Sequence, residues 1–194
     1  MGIFRTLYRE ARDILGLKPP PENGTQRAER MCGEVKNDFP GKKAQDGDNY
    51  VLSTTVDGRE TTLLFEAEPS RARVAMVAAV DEALTWAVER DPLAGAEPVP
   101  AGTQRTYVAS GIYAEGPAKE VARLEALWKQ LPTGARGLVS QLVGKMGGRL
   151  EVEGAVVTFT PEVETLDGKS ARYTVRSHVQ SLKQIVEGME SGWA

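Results

Sequence analysis

The feature that most constrains this chain is a dipeptide, Asp57–Gly58, set between two runs of alternating side chains. Before it, Tyr50, Leu52, Thr54 and Val56 alternate with Val51, Ser53 and Thr55; after it, Glu60 to Ala67 returns with Leu63, Leu64 and Phe65. A two-residue type I′ turn needs positive φ at both central positions, and Asp–Gly is among the pairs that supply it. The dipeptide therefore predicts a β-hairpin. A second is predicted where Leu150 and Val152 lead into Glu153–Gly154, with Val156, Val157 and Phe159 returning.

Helical spacing supplies a second layer. A helix is predicted over 26–35 with Thr25 as its N-cap, followed by a loop over 37–49 rich in Gly, Asp and Lys. Residues 71–89 fit two strands joined near Asp81–Glu82, through the alternation of Val74, Met76, Ala78 and Val80 and then of Leu84, Trp86 and Val88. A helical face of Val77, Val80, Leu84 and Val88 competes, and the strands are preferred. Thr106 to Glu115 reads as one further strand. Pro117 suits the first turn of a helix whose stripe is Val121, Leu124, Leu127, Trp128 and Leu131. Pro132 stops it, and another helix carries Leu138, Leu142, Val143 and Met146 to Gly147–Gly148. A strand is expected over 171–176. The last helix is expected to start at Ser177, with Gln180 completing a capping box and Val179, Leu182, Ile185, Val186 and Met189 buried.

The expected fold class is α+β: an antiparallel sheet, or sheets, of hairpins with helices packed on one face. A helix precedes each hairpin, which suggests a pseudo-duplicated unit. The chain divides into an N-terminal amphipathic helix (1–16), a Pro-rich linker (17–24), a first α+β unit (25–91), a linker (92–103) and a second α+β unit (104–194), the units packing as one body. Small secretion chaperones share the order helix, strands, helix, an analogy of fold that says little about function.

Composition narrows the chemistry. The 24 basic and 27 acidic residues among 194 give a formal charge of −3, whereas a phosphate-tracking protein normally carries a basic excess, so nucleic-acid binding is disfavoured. No apolar run approaches the roughly 20 residues of a membrane span. The lone Cys32 forms no intrachain disulfide, and cytoplasmic residence is the expectation. Ala, Gly, Val and Arg usage resembles that of GC-rich bacterial genomes.

His178, the one histidine, is expected beside the cap of the last helix and in solvent; Cys32 is expected buried with Met31. One Cys and one His do not make a zinc site. Asp46–Gly47–Asp48–Asn49 fails as a calcium loop, because Tyr50 and Val51 stand where a ligand and the glycine belong. Gly41–Lys42–Lys43 lacks the spacing of a phosphate loop, no G-x-G-x-x-G occurs, and Glu162 and Glu164 are expected to face water. No cofactor, metal or catalytic residue is therefore assigned.

The N-terminal helix is different in kind. It presents Phe4, Leu7, Tyr8 and Ile14 on one side and Arg5, Arg9 and Arg12 on the other, with a proline spacer behind. It is expected to pack on the sheet, to dock in a partner's groove or to make peripheral contact with an anionic membrane. The functional expectation is a non-enzymatic protein-interaction module, an adaptor, chaperone or inhibitor, using this helix or a sheet face. Its partner would be another protein, with homo-oligomerisation open. The alternatives are a ligand-binding domain with Trp86, Tyr107, Tyr113 and Trp128 lining a cavity between sheet and helices, and, less favoured, a carboxylate-based hydrolase.

Overall fold

Because successive strand residues point to opposite faces, a run of antiparallel strands in fixed register aligns its apolar residues into rows. The structure, a computed structural model that describes residues 22–80, 85–90, 101–162, 166 and 168–193, is built on such rows. Its strands are β1 (Gly41–Asp46), β2 (Asn49–Val56), β3 (Arg59–Glu66), β4 (Arg71–Val77), β5 (Thr85–Arg90), β6 (Thr103–Ala109), β7 (Ile112–Pro117), β8 (Gly148–Glu153) and β9 (Val156–Pro161). They form one nine-stranded sheet in the order β1-β2-β3-β4-β9-β8-β5-β7-β6, every pairing antiparallel. Across it Leu52 faces Leu63, Leu63 faces Val74, Val74 faces Phe159, Phe159 faces Leu150, Leu150 faces Val88 and Val88 faces Ala114. Every member of that row is buried.

The helices lie on the side of this row. They are α1 (Gly24–Val35), α2 (Val121–Gln130), α3 (Thr133–Val139) and α4 (Gly168–Gly192), and a π-helical turn (Ser140–Lys145) follows α3. Helix α1 packs on β2, β3 and α4; α4 crosses β4 and β9 and meets α3; α2 covers β6 and β7; and the π turn sits on β5 and β8. Ala28, Met31, Cys32 and Val35 of α1 and Val175, Val179, Leu182, Val186 and Met189 of α4 enter one core with the sheet. The α+β expectation, with helices over one face of an antiparallel hairpin sheet, holds. The two halves share the sheet intimately: the β8–β9 hairpin lies between β4 and β5.

Both signalled hairpins form. Asp57 has φ 48° and Gly58 φ 81°, the positive pair that a type I′ turn requires, and Gly154 turns β8 into β9 at φ 59°. The strand reading of 71–89 also holds, as β4 and β5; the joint at Asp81–Glu82 lies outside the described residues. So do the proposed helix over 1–16, most of the 17–24 linker and most of the 92–103 linker.

Four expectations are corrected. The loop over 37–49 contains β1, which lacks an apolar alternation because it is an edge strand with both faces largely solvated. The single strand over 106–115 is the hairpin β6–β7, broken at Gly111 (φ 68°), since apolar residues on both sides of the turn masked it. The cap of α1 is Asn23: its side chain accepts from the Gln26 amide at 2.8 Å while Gln26 accepts from the Asn23 amide at 3.2 Å. Thr25 instead donates to Asp48. Finally, 171–176 is helical. Ala171 and Val175 extend the stripe of Val179, Leu182 and Val186, so α4 runs 25 residues and Ser177 lies inside it.

Charged clasps tie α4 to the hairpins. Arg59 donates to Glu190 at 2.6 Å, Glu190 also accepts from the Ala79 amide at 2.9 Å, and Lys183 pairs with Asp57 at the turn.

The packing predicts opposite outcomes for two glycines. A Cβ at Gly148 would lie 2.2 Å from Phe159 Cε2 in the central row, whereas one at Gly33, on the exposed side of α1, meets nothing within 4 Å. Chemical denaturation should show Gly148→Ala losing about 1–3 kcal/mol and Gly33→Ala gaining up to about 1 kcal/mol.

Candidate functional site

The register that buries one set of side chains turns the alternate set outward. On the open face Ser53, Thr62, Ala75, Thr158, Glu151, Ala87, Glu115 and Arg105 are successive cross-strand neighbours from β2 to β6. A second row runs Thr160, Arg149, Glu89, Tyr113, Tyr107. Ala75, Thr158 and Ala87 are short, so the long side chains beside them stand as walls around a hollow. One cleft of about 510 Å³ is lined by Arg71, Arg73, Arg149, Glu89, Tyr113 and Thr160, among others. A second, of about 720 Å³, lies over Thr85, Ala87, Glu115 and Thr158. Arg149 and Glu151 line both, so the two clefts adjoin, and together they are called the trough.

Opposite charges alternate along the trough. Glu66 accepts from Arg73 at 2.7 Å and pairs with Arg71, whose Nη1 reaches the Pro161 carbonyl at 3.4 Å. Arg149 pairs with Glu89 and, at 2.8 Å, with Glu151. The Tyr113 hydroxyl donates to Glu89 at 2.6 Å, and the Arg105 guanidinium lies 4.7 Å over the Tyr113 ring while donating to Glu115 at 2.7 Å. Arg90 and Glu162 face each other at 3.6 Å. Burial alone would raise the Glu66 carboxyl, but hydrogen bonds from Arg71 and Arg73 outweigh it and hold it below the ordinary carboxylate range. Glu66 is thus an anionic anchor rather than a proton donor.

Of the candidates picked out from sequence, Tyr113 and Glu162 line the trough; most of the others fall elsewhere. Phe4, Arg5, Leu7, Tyr8, Arg9, Arg12 and Ile14 lie outside the described residues, as does Glu164. Glu162 is exposed at the trough's mouth. Cys32 is fully buried beside Met31, and burial pushes its thiol up. The four aromatic residues proposed to line one cavity are divided between faces. Trp86 and Trp128 are in the helix-side core, with Trp86 5.7 Å from Trp193, whereas Tyr113 and Tyr107 are open-face neighbours. The solvent-exposed histidine is corrected outright: His178 lies inside α4, completely buried, edge-on to Phe159 at 4.9 Å. Among the described residues no group of three His, Cys, Asp or Glu is arranged to hold a metal ion, and no helix is long and apolar enough to cross a membrane.

The charged residues of β4 and β8 in the trough carry no signal when each is read alone. Their signal is the period-2 placement of charge in Arg71-x-Arg73 and in Arg149-x-Glu151-x-Glu153, out of phase with the buried Ala72, Val74, Leu150 and Val152.

No protein-family model matches the chain, and no curated protein matches its sequence. Among solved structures, the chain is similar in fold to the crystal structure of the mycobacterial trehalose monomycolate transport factor A, TtfA. The TM-score is 0.56 at 10% sequence identity, over 87% of this chain and 96% of that one.

Desolvation lowers the His178 pKa from 6.5 to about 4. The unfolded chain, with an ordinary histidine, therefore binds the extra proton between those values. Stability from this group is complete above pH ~6.5 and is lost as pH falls towards 4, by roughly 3 kcal/mol. Denaturation at pH 7 and pH 4.5 should show a steeper loss in the wild type than in His178→Leu.

Proposed function

We propose that this chain is a non-enzymatic protein-interaction module, of adaptor, chaperone-like or inhibitory type, that receives its partner on the open face of the sheet. The observation that carries the reading is the trough: two adjoining clefts of mixed charged and apolar lining between β4 and β7, on the face the helices leave free. Ion pairs line it, and the exposed pair Val77–Val156 lies beside it. Solvated charge around a partly apolar floor resembles the composition of recognition surfaces, in which Arg and Tyr are enriched. The lowered Glu66 carboxyl supports binding over acid–base chemistry.

The N-terminal segment is a second contact in this proposal, through Phe4, Leu7, Tyr8 and Ile14 with Arg5, Arg9 and Arg12. Peripheral membrane contact through that segment is the lesser variant. Cytoplasmic residence and a bacterial source belong to the proposal too, and nucleic acid remains a disfavoured partner. The likeness to a transport factor supplies the fold and nothing about cargo.

One observation favours a second reading, a ligand-binding domain. A cleft of about 510 Å³ is within the ~300–1,000 Å³ of small-molecule sites. The site would then be the open face rather than a cavity between sheet and helices.

A photo-crosslinking residue at Glu151, in the trough, should give a discrete protein adduct in cells, while one at Glu29 on α1 should not. Equal adduct patterns from the two positions would contradict the docking face. Truncation should separate the N-terminal contact from the body. Removing residues 1–21 spares Glu22, which pairs with Arg30, and Asn23; stability should stay within ~0.5 kcal/mol while adduct yield falls. Extending the deletion through Gly24 removes the cap and should cost about 1 kcal/mol.

A further inference from the structure

We infer that the β4–β9 end of the trough is an oxyanion subsite, in which Arg73 and Thr160 donate to a single carboxylate or phosphoryl group of the bound molecule and Arg71 supports it electrostatically. The inference deepens the open-face reading and rests on it.

Unequal pairing is the first argument. Glu66 is one carboxylate shared by two guanidiniums, those of Arg71 and Arg73, so among the described residues one positive charge at this end has no carboxylate of its own. At the β8–β5 end the ratio is reversed, since Arg149 alone serves both Glu89 and Glu151. Arg90 and Glu162 balance each other at the mouth. The cleft is thus polarised, positive over β4 and negative over β8 and β5.

Unsatisfied donors are the second. Arg73 uses Nη2 on Glu66, but its Nε is buried and has no hydrogen-bond partner among the described residues; the same is true of the Thr160 hydroxyl. Both residues line the same cleft. A buried donor left without a partner costs free energy, and buried polar groups in folded proteins are rarely left so. Both donors are closed to solvent in the free protein, so an oxyanion that displaces the side-chain atoms covering them would accept from both. A guanidinium suits the task because its planar fork matches carboxylate and phosphate geometry.

The same charges limit what the ligand can be. Glu89, Glu151 and Glu162 line the rest of the same cleft, so an extended polyanion would meet like charge along it. A molecule with one oxyanion, and donors rather than further anions beyond it, is the class that fits. The group can come from a free small molecule or from an acidic side chain of a protein partner.

The test is calorimetric titration of the full-length protein with inorganic phosphate, with acetate, and with a tetrapeptide bearing one Glu against its Gln counterpart. The variants are Arg73→Gln, Arg73→Lys, Thr160→Val and, as a charge-matched control, Lys36→Gln. Saturable binding of at least one acidic probe is expected. Arg73→Gln and Thr160→Val should each weaken it about tenfold, one hydrogen bond to a charged group, and Lys36→Gln should change it less than about twofold. Arg73→Lys should fall between. Thr160→Val removes a single hydroxyl and keeps the test alive should Arg73→Gln fail to fold. Phosphate or acetate binding identifies a free oxyanion as the source, and preference for the Glu peptide over both identifies a protein side chain. No saturable binding of any acidic probe, or equal weakening in all variants including Lys36→Gln, overturns the subsite. Loss of the subsite with the Glu151 adduct retained would leave the docking face standing. Oxyanion binding without the adduct would leave a ligand site in place of a protein interface.

Discussion

Everything in this fold depends on one row of cross-strand contacts, from Leu52 through Leu63, Val74, Phe159, Leu150 and Val88 to Ala114. Each is a nearest-neighbour pair in an antiparallel ladder, and each side chain is out of water. A slip of one residue in any strand would put its whole apolar set into solvent, so burial holds the register against alternatives. The row also explains how widely separated segments become one body. The β8–β9 hairpin carries Leu150 and Phe159, and it completes the row only by lying between β4 and β5. Gly148 leaves the room that the Phe159 ring occupies at that junction.

The helices follow from the row, because an apolar sheet face needs cover. Helices α1 and α4 present stripes at helical spacing and close the core over β2, β3, β4 and β9. The far face follows as well. Period 2 makes the outward set the complement of the inward one, so charge at Arg149, Glu151, Glu89 and Glu115 is brought onto the neighbouring strands β8, β5 and β7 by the same register. Arg73, Arg149 and Glu151 remain well exposed in these pairs, and each such pair adds little to stability, of order 0–1 kcal/mol. The pairs therefore matter more as a pattern of donors and acceptors on a rigid sheet than as a source of stability.

The sequence showed local structure wherever a local cause was strong. Asp57–Gly58 and Glu153–Gly154 announced their hairpins because positive φ is demanding, and the stripe of α2 followed from helical spacing. It was misleading where tertiary context decided. Strand β1 has no alternation to read because it is an edge, and Ser110–Gly111 is a weaker turn signal inside an apolar stretch. The position of His178 shows the limit most sharply. A histidine after Ser177 looks like a cap neighbour, yet it is three residues beyond Val175 and four before Leu182 on the buried side of α4, against Phe159. The trough was legible only in part. Each strand's charge phase can be read from sequence, but which strands are neighbours cannot, and the polarised cleft arises from β4, β9, β8 and β5 lying side by side.

In the proposed function the two faces of the sheet divide the work, one closed over the core and one open for recognition. Thiol protection tests it most directly. Cys32 is fully buried with a raised pKa and should stay silent, so a single reporter at Val156→Cys on the open face can be compared with one at Gly33→Cys on α1. Both should react quickly with a thiol reagent in the purified protein. In intact cells the account predicts at least about tenfold slower reaction at Val156→Cys and an unchanged rate at Gly33→Cys. Equal rates at the two positions in cells, or protection confined to Gly33→Cys, would contradict it.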